Sequence, residues 1–369
     1  MDFNGLYIHV PFCRSKCPYC GFYSIASRSL IPDWLDALKE EAVRRTGRFC
    51  KFDTVYLGGG TPSILDSHAL HSLMDRVRSC FSLAAGSEIS IEANPRDVTT
   101  EKALELKSLG FNRITLGVQS FDDRVLSFLG RRHTADAAKA ALTVLRDAGF
   151  ENVGIDLIYG IAGQSLDGWH ATLDQALAFS PEHLSCYELT IEEGTVFRQR
   201  EKKGEMSPVD EKAARALFMT TSRFLEAKGY VHYEISNFAR DERYRSRHNM
   251  KYWRHIPYLG LGPSAHSFDG GARWWNVRSV RQYGRMLAAG QLPVGGMETL
   301  TREQVDLERI SLGLRMKEGF DLRKIRKGPK TMDILGRLEG RGLIRLEGNR
   351  VMPTREGYAV ADALPLCLI

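Results

Sequence analysis

Short apolar segments alternate with amphipathic ones through the first half of the chain, and this alternation constrains the fold more than any other feature of the sequence. The expected strands are Leu6–Val10, Thr54–Leu57, Glu88–Glu92, Arg113–Val118, Val153–Ile158 and His183–Leu189. The expected helices between them are Ile31–Arg45, Ser67–Phe81, Thr99–Leu109, Thr134–Ala148 and Ser165–Phe179. Asp66 and Thr99 are typical of a helix start, and Gly110 and Gly149 of a helix stop. Such β/α repeats predict a parallel sheet with helices outside it.

The number of repeats leaves two α/β architectures open. Six units are compatible with an incomplete version of the eight-unit TIM-like barrel, and equally with an open doubly wound sheet. The periodicity of the sequence does not choose between them.

The pattern changes after Thr190. A long amphipathic helix is expected at Pro208–Lys228 and a short strand at Tyr230–Ile235. The stretch Asn237–Phe268 is rich in Arg, His, aromatic residues and Gly and has little regular periodicity. A loop that is so long and aromatic is more typical of a functional element than of a linker.

The end of the chain resembles a winged-helix module. Helices are expected at Glu303–Met316 and Thr331–Arg341, followed by a hairpin at Leu343–Met352 and a final helix from Thr354. Gly348-Asn349 is a typical hairpin turn. We therefore expect three parts: a partial barrel over 1–235, a loop region with a ligand site over 236–295, and a winged-helix-like α+β domain over 296–369.

Composition places the chain among ordinary globular proteins, with 43% hydrophobic and 26% charged residues. No segment has the ~20 apolar residues of a membrane span, and no secretory signal precedes the first strand. The expected location is therefore the cytoplasm, with at most peripheral membrane contact. A net charge of +6, mostly interleaved with acidic residues, argues against nucleic acid as a partner.

Three of the seven cysteines lie within eight residues, as Cys13-Arg-Ser-Lys-Cys17-Pro-Tyr-Cys20. Thiolates are suitable ligands for iron–sulfur clusters or zinc. A [4Fe–4S] cluster with three cysteine ligands leaves one iron open for the amino and carboxylate groups of S-adenosylmethionine (SAM). The alternative is a zinc site with His9 as fourth ligand, although structural zinc sites usually pair two C-x2-C motifs. The other cysteines, Cys50, Cys80, Cys186 and Cys367, are expected to be free buried thiols.

A glycine run, Gly58-Gly59-Gly60-Thr61-Pro62, follows the second strand. Such glycines let the backbone approach a ligand closely. A phosphate-binding loop is the rival interpretation, but the sequence lacks both G-K-[ST] and G-x-G-x-x-G.

Polar residues recur where later strands end: Glu92, Gln119 and Asp156. Ligand sites of parallel β/α folds lie at the carboxyl ends of the strands, so these side chains should converge with the cysteine loop.

The segments from Tyr7 to Cys13 and from Cys20 to Phe22 resemble the radical SAM family of oxygen-independent coproporphyrinogen III oxidases and their relatives, and the resemblance covers nearly the whole chain. It implies a partial (β/α)6 barrel of the radical SAM type. It also implies which residues line the SAM pocket: Tyr7, Tyr19, Gly59, Gly60, Thr61, Glu92, Gln119, Arg131 and Asp156. Arg132 is next to Arg131 in the sequence and is the alternative arginine for that position. Ala162 stands where relatives commonly have Pro. No catalytic residue is assigned.

Three features favour the haem chaperone (HemW) branch of this family. Phe22 stands where oxidases carry a further cysteine. Only twelve residues precede Cys13, whereas oxidases carry a long N-terminal arm before the cluster motif. The third feature is an H-N-x-x-Y-W signature, which implies that His248, Asn249, Tyr252 and Trp253 bind haem. Nearby cations could pair with the propionates: Arg243, Arg245, Arg247, Lys251 and Arg254. His266 is a weaker candidate ligand that could instead face SAM.

The resemblance implies a chaperone that carries haem as cargo to acceptor proteins such as respiratory enzymes, with a homodimer left open. The alternative is an oxidase that decarboxylates two propionates of coproporphyrinogen III. A third hypothesis is an iron–sulfur sensor that binds nucleic acid through its winged-helix-like end.

Overall fold

The computed structural model describes residues 3–47, 49, 51–326 and 328–368. The strands are β1 Asn4–Val10, β2 Lys51–Gly59, β3 Ser82–Ala93, β4 Arg113–Gln119, β5 Val153–Tyr159, β6 His183–Glu188, β7 Val231–Glu234, β8 Asn237–Ala239, β9 Tyr258–Leu261, β10 His266–Phe268, β11 Ala272–Asn276, β12 Val294–Thr299, β13 Phe320–Asp321, β14 Ile344–Glu347 and β15 Arg350–Pro353. The helices are α1 Ile31–Arg44, α2 Ser67–Cys80, α3 Thr100–Ser108, α4 Asp123–Phe128, α5 Ala135–Asp147, α6 Leu166–Leu177, α7 Val196–Lys202, α8 Glu211–Ala227, α9 Arg247–Trp253, α10 Val280–Ala288, α11 Arg302–Gly313, α12 Thr331–Gly340 and α13 Arg355–Tyr358.

The order of the central strands decides between the two architectures. Within the described residues, β1 to β6 are neighbours in chain order and parallel, inside a twelve-stranded sheet. A doubly wound sheet would reverse its strand order at a switch point. Because each crossover advances by one strand in the same hand, the helices cover one face. The partial barrel is confirmed.

Alternation along the strands separates the core from the site. In β1, Leu6 and Ile8 are completely buried on the helix side, whereas Tyr7 lies on the opposite, inner face. The same alternation in β3 buries Ile91 beneath the helices and turns Glu92 inward. The expected caps also form, since the Asp66 and Thr99 side chains accept backbone N–H bonds at the starts of α2 and α3.

The expectation of little regular structure over Asn237–Phe268 is wrong. This stretch contains β8, α9, β9 and β10, and β9 pairs in parallel with β1 from Gly5↔Tyr258 to Ile8↔Leu261. The remaining strands, β10 to β12, continue the sheet in antiparallel fashion beyond β9. Strands of three or four residues are too short for a period of two to be visible in the sequence.

The C-terminal elements have a hydrophobic cluster of their own, which includes Leu314, Leu335, Ile344 and Val351. Their three strands follow the order β13-β15-β14, and the left-handed Gly348 (φ 60°) lies in the expected hairpin turn. The predicted final helix is the short α13, which Thr354 caps. Within the described residues, no helix combines the length and the apolar character that crossing a bilayer requires.

The scattered cysteines follow their expected burial only in part. Cys80, Cys186 and Cys367 are all free thiols, and Cys186 is buried. Cys80 is half-buried and Cys367 is exposed, because each is the last residue of a helical segment, Cys80 of α2 and Cys367 of a short helical turn at Pro365–Cys367. Cys50 lies outside the described residues.

Candidate functional site

The cysteine loop follows β1 and is tied back to the barrel by its backbone. Cys13 N–H donates to the Ile25 carbonyl at 3.0 Å, and Ile25 N–H donates to the Pro11 carbonyl at 2.8 Å. The three cysteines together line a small cavity of about 90 Å³. The loop therefore presents all three thiols to one space.

The groups around this cavity suit thiolates. The Thr61 hydroxyl donates to Cys13 Sγ at 3.4 Å, and Arg131 Nη1 donates to Cys17 Sγ at 3.6 Å. Arg131 is a half-buried cation, and its buried Nε has no partner among the described residues. Burial raises the pKa of the Cys20 thiol, so a positive charge or a metal is needed to keep that thiol deprotonated. These residues fit a [4Fe–4S] cluster.

The zinc alternative is not supported by the geometry around His9. Its Nδ1 accepts from the Tyr7 hydroxyl at 3.0 Å, and its Nε2 donates to the Tyr23 carbonyl at 2.9 Å. Both ring nitrogens are thus engaged, and burial lowers the pKa of His9 to about 4. In the described part of the chain, no three His, Cys, Asp or Glu side chains surround a point where a single metal ion would bind. A cubane takes its thiolates on different irons and needs no such convergence.

A larger cavity of about 590 Å³ adjoins the first at the carboxyl ends of the strands. It shares Tyr19, Cys20, Gly60, Thr61 and Arg131 with the cysteine cavity. The structure brings to it every residue that the resemblance implied for SAM: Tyr7, Tyr19, Gly59, Gly60, Thr61, Glu92, Gln119, Arg131 and Asp156. Its size is within the ~300–1,000 Å³ typical of cofactor pockets.

The glycine run is required by close approach to β1. A Cβ on Gly60 would lie 2.6 Å from the Phe12 carbonyl oxygen, and one on Gly59 would lie 2.5 Å from the His9 ring. Gly59 also has a left-handed φ of 109°. The glycines therefore let β2 turn across the mouth of the barrel, with Thr61 directed to the cysteines.

Two half-buried carboxyl groups face the larger cavity. Glu92 accepts from the Tyr56 hydroxyl at 2.8 Å and from Gly59 N–H at 3.2 Å. Burial, supported by the nearby Asp156 charge, raises the pKa of Glu92 to about 7. Burial likewise raises the pKa of Asp156 to about 6, and its Oδ1 has no partner among the described residues. An acceptor buried without a donor fits a ligand that brings a hydroxyl or amino group.

The sequence interpretation missed two tyrosines of this cavity, Tyr56 and Tyr187. Tyr56 lies two residues before Gly58 in β2 and therefore shares the inner face of the barrel. Applying the period of two to each expected strand, and not only to its last residue, would have found it.

His248 lies at the rim of the larger cavity but is fully engaged with the protein. Its Nδ1 is 2.8 Å from the Thr54 hydroxyl, and its Nε2 is 2.7 Å from the Tyr252 hydroxyl. Burial lowers its pKa to about 3, so the ring is neutral. Asn249 and Tyr252 line the same cavity.

Trp253 does not line this cavity. Its ring packs with Tyr233, Met250 and Met316, and the Arg315 guanidinium lies 4.4 Å from the ring centroid. One residue along a helix turns the side chain by ~100°, so Tyr252 and Trp253 face different directions.

Most of the nearby cations are also engaged. Arg243 pairs with Asp241, Arg245 with Glu242 and Glu318, and both Arg247 and Lys251 with Asp53. The pairs with Asp53 hold the segment to β2 of the barrel, and the expected pairing of these cations with propionates would have to displace their present ion pairs.

Comparisons with known proteins agree with this geometry. The model of the radical SAM superfamily matches residues 7–176. The chain is 36% identical over 371 residues to the heme chaperone HemW of Mycobacterium tuberculosis, covering 99% of this chain and 94% of the relative. It is 35% identical to the heme chaperone HemW of Bacillus subtilis, with 97% of each chain covered. The structure of coproporphyrinogen III oxidase HemN from Escherichia coli, a radical SAM enzyme, matches 99% of this chain with a TM-score of 0.85 and 25% identity.

A partial barrel that gathers three cysteines beside a strand-end cavity defines a radical SAM protein, and membership of that superfamily implies a [4Fe–4S] cluster and SAM. Within the superfamily, this chain belongs to the HemW family.

Proposed function

We propose that this chain is a haem chaperone, which binds a [4Fe–4S] cluster, SAM and haem and delivers haem to acceptor proteins such as respiratory enzymes. The observation that carries the proposal is Phe22. Its ring is 70% exposed and lines the large cavity, at the position where the oxidase branch has a further cysteine. An exposed aromatic ring can pack on a porphyrin face but offers no thiol chemistry. Near full-length similarity to HemW proteins supports the same function.

The strand-end residues would have separate tasks. Cys13, Cys17 and Cys20 would hold the cluster, which supplies an electron to the SAM sulfonium when both are bound. Asp156 and Glu92 would accept hydrogen bonds from SAM, and Thr61 and Arg131 donate to the thiolates.

The helix α9 would border the haem. Asn249 and Tyr252 are accessible from the cavity, and His248 fixes the Tyr252 hydroxyl. His248 itself can ligate iron only by giving up one of its two hydrogen bonds. We therefore keep His248 in the proposed site, with orientation of Tyr252 as its first task.

A transfer experiment tests the chaperone function. The reconstituted chain is loaded with haem and mixed with a haem-free respiratory cytochrome, and the absorbance change of the cytochrome is followed. We expect transfer faster than the passive loss of haem to an excess of a haem scavenger. Transfer no faster than this passive loss would contradict the proposal.

A second candidate function is oxidation of coproporphyrinogen III, which the similarity to the E. coli oxidase favours. It predicts conversion of coproporphyrinogen III with SAM and a reductant under anaerobic conditions. A fully reconstituted protein that fails to convert this substrate would argue against it.

The partners and location follow from the chaperone proposal. Haem acceptors in respiratory membranes require at most contact of this chain with the membrane surface, and we place the chain in the cytoplasm. Assembly as a homodimer remains part of this proposal, and sedimentation of the haem-loaded chain would test it.

A further inference from the structure

A third cavity, of about 460 Å³, lies next to the SAM cavity. The two share Tyr7, Gly21, Phe22 and Tyr252 as common walls. The other lining residues of the third cavity are His9, Tyr23, Tyr258, Ser264, His266 and Arg278. Neither the cluster nor SAM is assigned to this cavity. Its volume is also typical of a cofactor pocket.

The cavity contains one imidazole that the protein does not use. Both ring nitrogens of His9 are hydrogen-bonded, as are those of His248 nearby. His266, the first residue of β10, is exposed, and neither ring nitrogen has a hydrogen-bond partner in the described part of the chain. Its ring stacks on Trp275 at 5.8 Å and 28°. Stacking fixes the plane of the imidazole and leaves the nitrogens at its edge available.

Aromatic rings form much of the remaining wall. Tyr252 and Tyr258 are perpendicular, with centroids 4.6 Å apart. Phe22 is exposed at the shared edge of the two cavities. Such rings offer the flat apolar surfaces on which a planar macrocycle packs.

Arg278 provides a cation at the edge of the cavity. It is exposed and lies over the Tyr23 ring at 5.6 Å, and it has no ion pair among residues 3–47, 49, 51–326 and 328–368. This distinguishes it from Arg243, Arg245 and Arg247, which are paired with carboxylates. An arginine without a carboxylate partner is suited to bind a carboxylate of a ligand.

We infer that this third cavity is the haem-binding site, with His266 as an axial ligand of the iron and Arg278 as the partner of a propionate. The inference rests on the proposed chaperone function. It places the haem in the cavity that adjoins the SAM site, not in the SAM cavity itself. Tyr252 then joins the two sites, because it lines both cavities and is held by His248.

The test compares haem with iron-free protoporphyrin, titrated into the full-length reconstituted chain and followed by absorbance. His266→Ala should weaken haem binding about tenfold or more, because the iron loses its ligand, and should leave protoporphyrin binding within about twofold. Arg278→Gln should weaken both ligands, because both carry propionates. Added imidazole should restore the haem spectrum of His266→Ala.

Matched controls are available on the surface. His68→Ala removes an exposed histidine of α2, and Arg281→Gln removes an exposed arginine of α10. Neither residue lines the cysteine cavity, the SAM cavity or the third cavity. Neither control should change haem binding. Because His266 makes no hydrogen bond among the described residues, its variant should fold normally, which circular dichroism checks.

The outcomes separate this inference from the proposed function. If the wild-type chain binds haem and His266→Ala binds it with the same affinity and spectrum, the assignment of His266 is wrong and the chaperone function stands. If the wild-type chain binds no haem, the inference and the proposed function both fail.

Discussion

The strand ends of β1 to β6 and the segment of residues 247–278 border the same opening, but they place functional side chains by different means. At the strand ends, each β/α unit repeats the same geometry, so an inward residue near the end of a strand reaches the ligand space. Glu92, Gln119 and Asp156 do so. In the second region, short strands and the short helix α9 are held by ion pairs such as Lys251–Asp53. There, position along the chain does not indicate which side chain faces a cavity.

Both regions have cavity-lining residues with polar groups that lack a partner among the described residues. At the strand ends these groups are Asp156 Oδ1 and Arg131 Nε, which have no partner in the described residues. In the second region, His248 is satisfied within the protein, whereas His266 has no such bonds among the described residues. A recognisable motif can therefore support a site through its internal bonds without providing the ligand.

The largest expected effect concerns the cluster. Cys13→Ser, Cys17→Ser and Cys20→Ser should each abolish the broad visible absorbance of the reconstituted protein, because each removes one of three thiolate ligands. Cys80→Ser, outside the cavity, serves as the control. A [4Fe–4S] spectrum that survives in all three single variants would show that the cluster lies elsewhere.

The next effect concerns SAM. Asp156→Asn should weaken SAM binding by about 10- to 100-fold, since a hydrogen bond to a charged group contributes roughly 1.5–3 kcal/mol. Equilibrium dialysis of the reconstituted chain measures this, with Asp147→Asn at the end of α5 as the control. Equal SAM affinity in Asp156→Asn and wild type would remove Asp156 from the SAM site.

A pH effect should follow from Glu92. Its pKa is raised from 4.5 to about 7, so the folded state retains a proton that the unfolded state releases. The stability from this proton is full below about pH 4.5 and is lost as the pH rises to about 7, by roughly 3 kcal/mol. Urea unfolding of the ligand-free chain at several pH values measures it. Glu92→Gln should lose this part of the pH dependence, and an unchanged profile would contradict the raised pKa.

His248→Ala should weaken haem binding several-fold and leave the cluster intact. The variant leaves the Thr54 and Tyr252 hydroxyls without a partner, at a cost of about 1–3 kcal/mol each, and frees the Tyr252 ring to move. Haem titration and cluster absorbance on the same sample separate the two effects. Unchanged haem affinity would remove His248 from the site.

The smallest effect is expected for Trp253→Phe. The ring contacts Arg315 and not the cavity, so the variant should lose about 0.5–1 kcal/mol of stability and keep its haem affinity within about twofold. Thermal unfolding and haem titration measure the two quantities. A large loss of haem affinity without a loss of stability would place Trp253 in the haem site.

Much of the barrel could be predicted from the sequence because its strands are long enough to show their period and its helices carry caps. Thr54–Leu57 was expected for β2 and Arg113–Val118 for β4, and both lie inside the observed strands. The change of pattern expected after Thr190 coincides with the end of the parallel strands, since β6 ends at Glu188. The strand order could not be predicted, because it depends on pairing between segments that are distant in the chain.

In the second region, the cavity-facing side chains could not be predicted from the sequence for a different reason. Whether His248 is a ligand or a buried, hydrogen-bonded residue depends on Thr54, 194 positions away. One local signal was available: positions i and i+4 of a helix share a face, which indicates the contact between His248 and Tyr252 and turns Trp253 away.

The measurement that tests the central claim most directly is anaerobic reconstitution of the cluster, followed by haem titration alongside a coproporphyrinogen III conversion assay. We predict binding of one haem per chain and no conversion with SAM and a reductant. Conversion of coproporphyrinogen III without stoichiometric haem binding would contradict the claim and make the chain an oxidase despite Phe22.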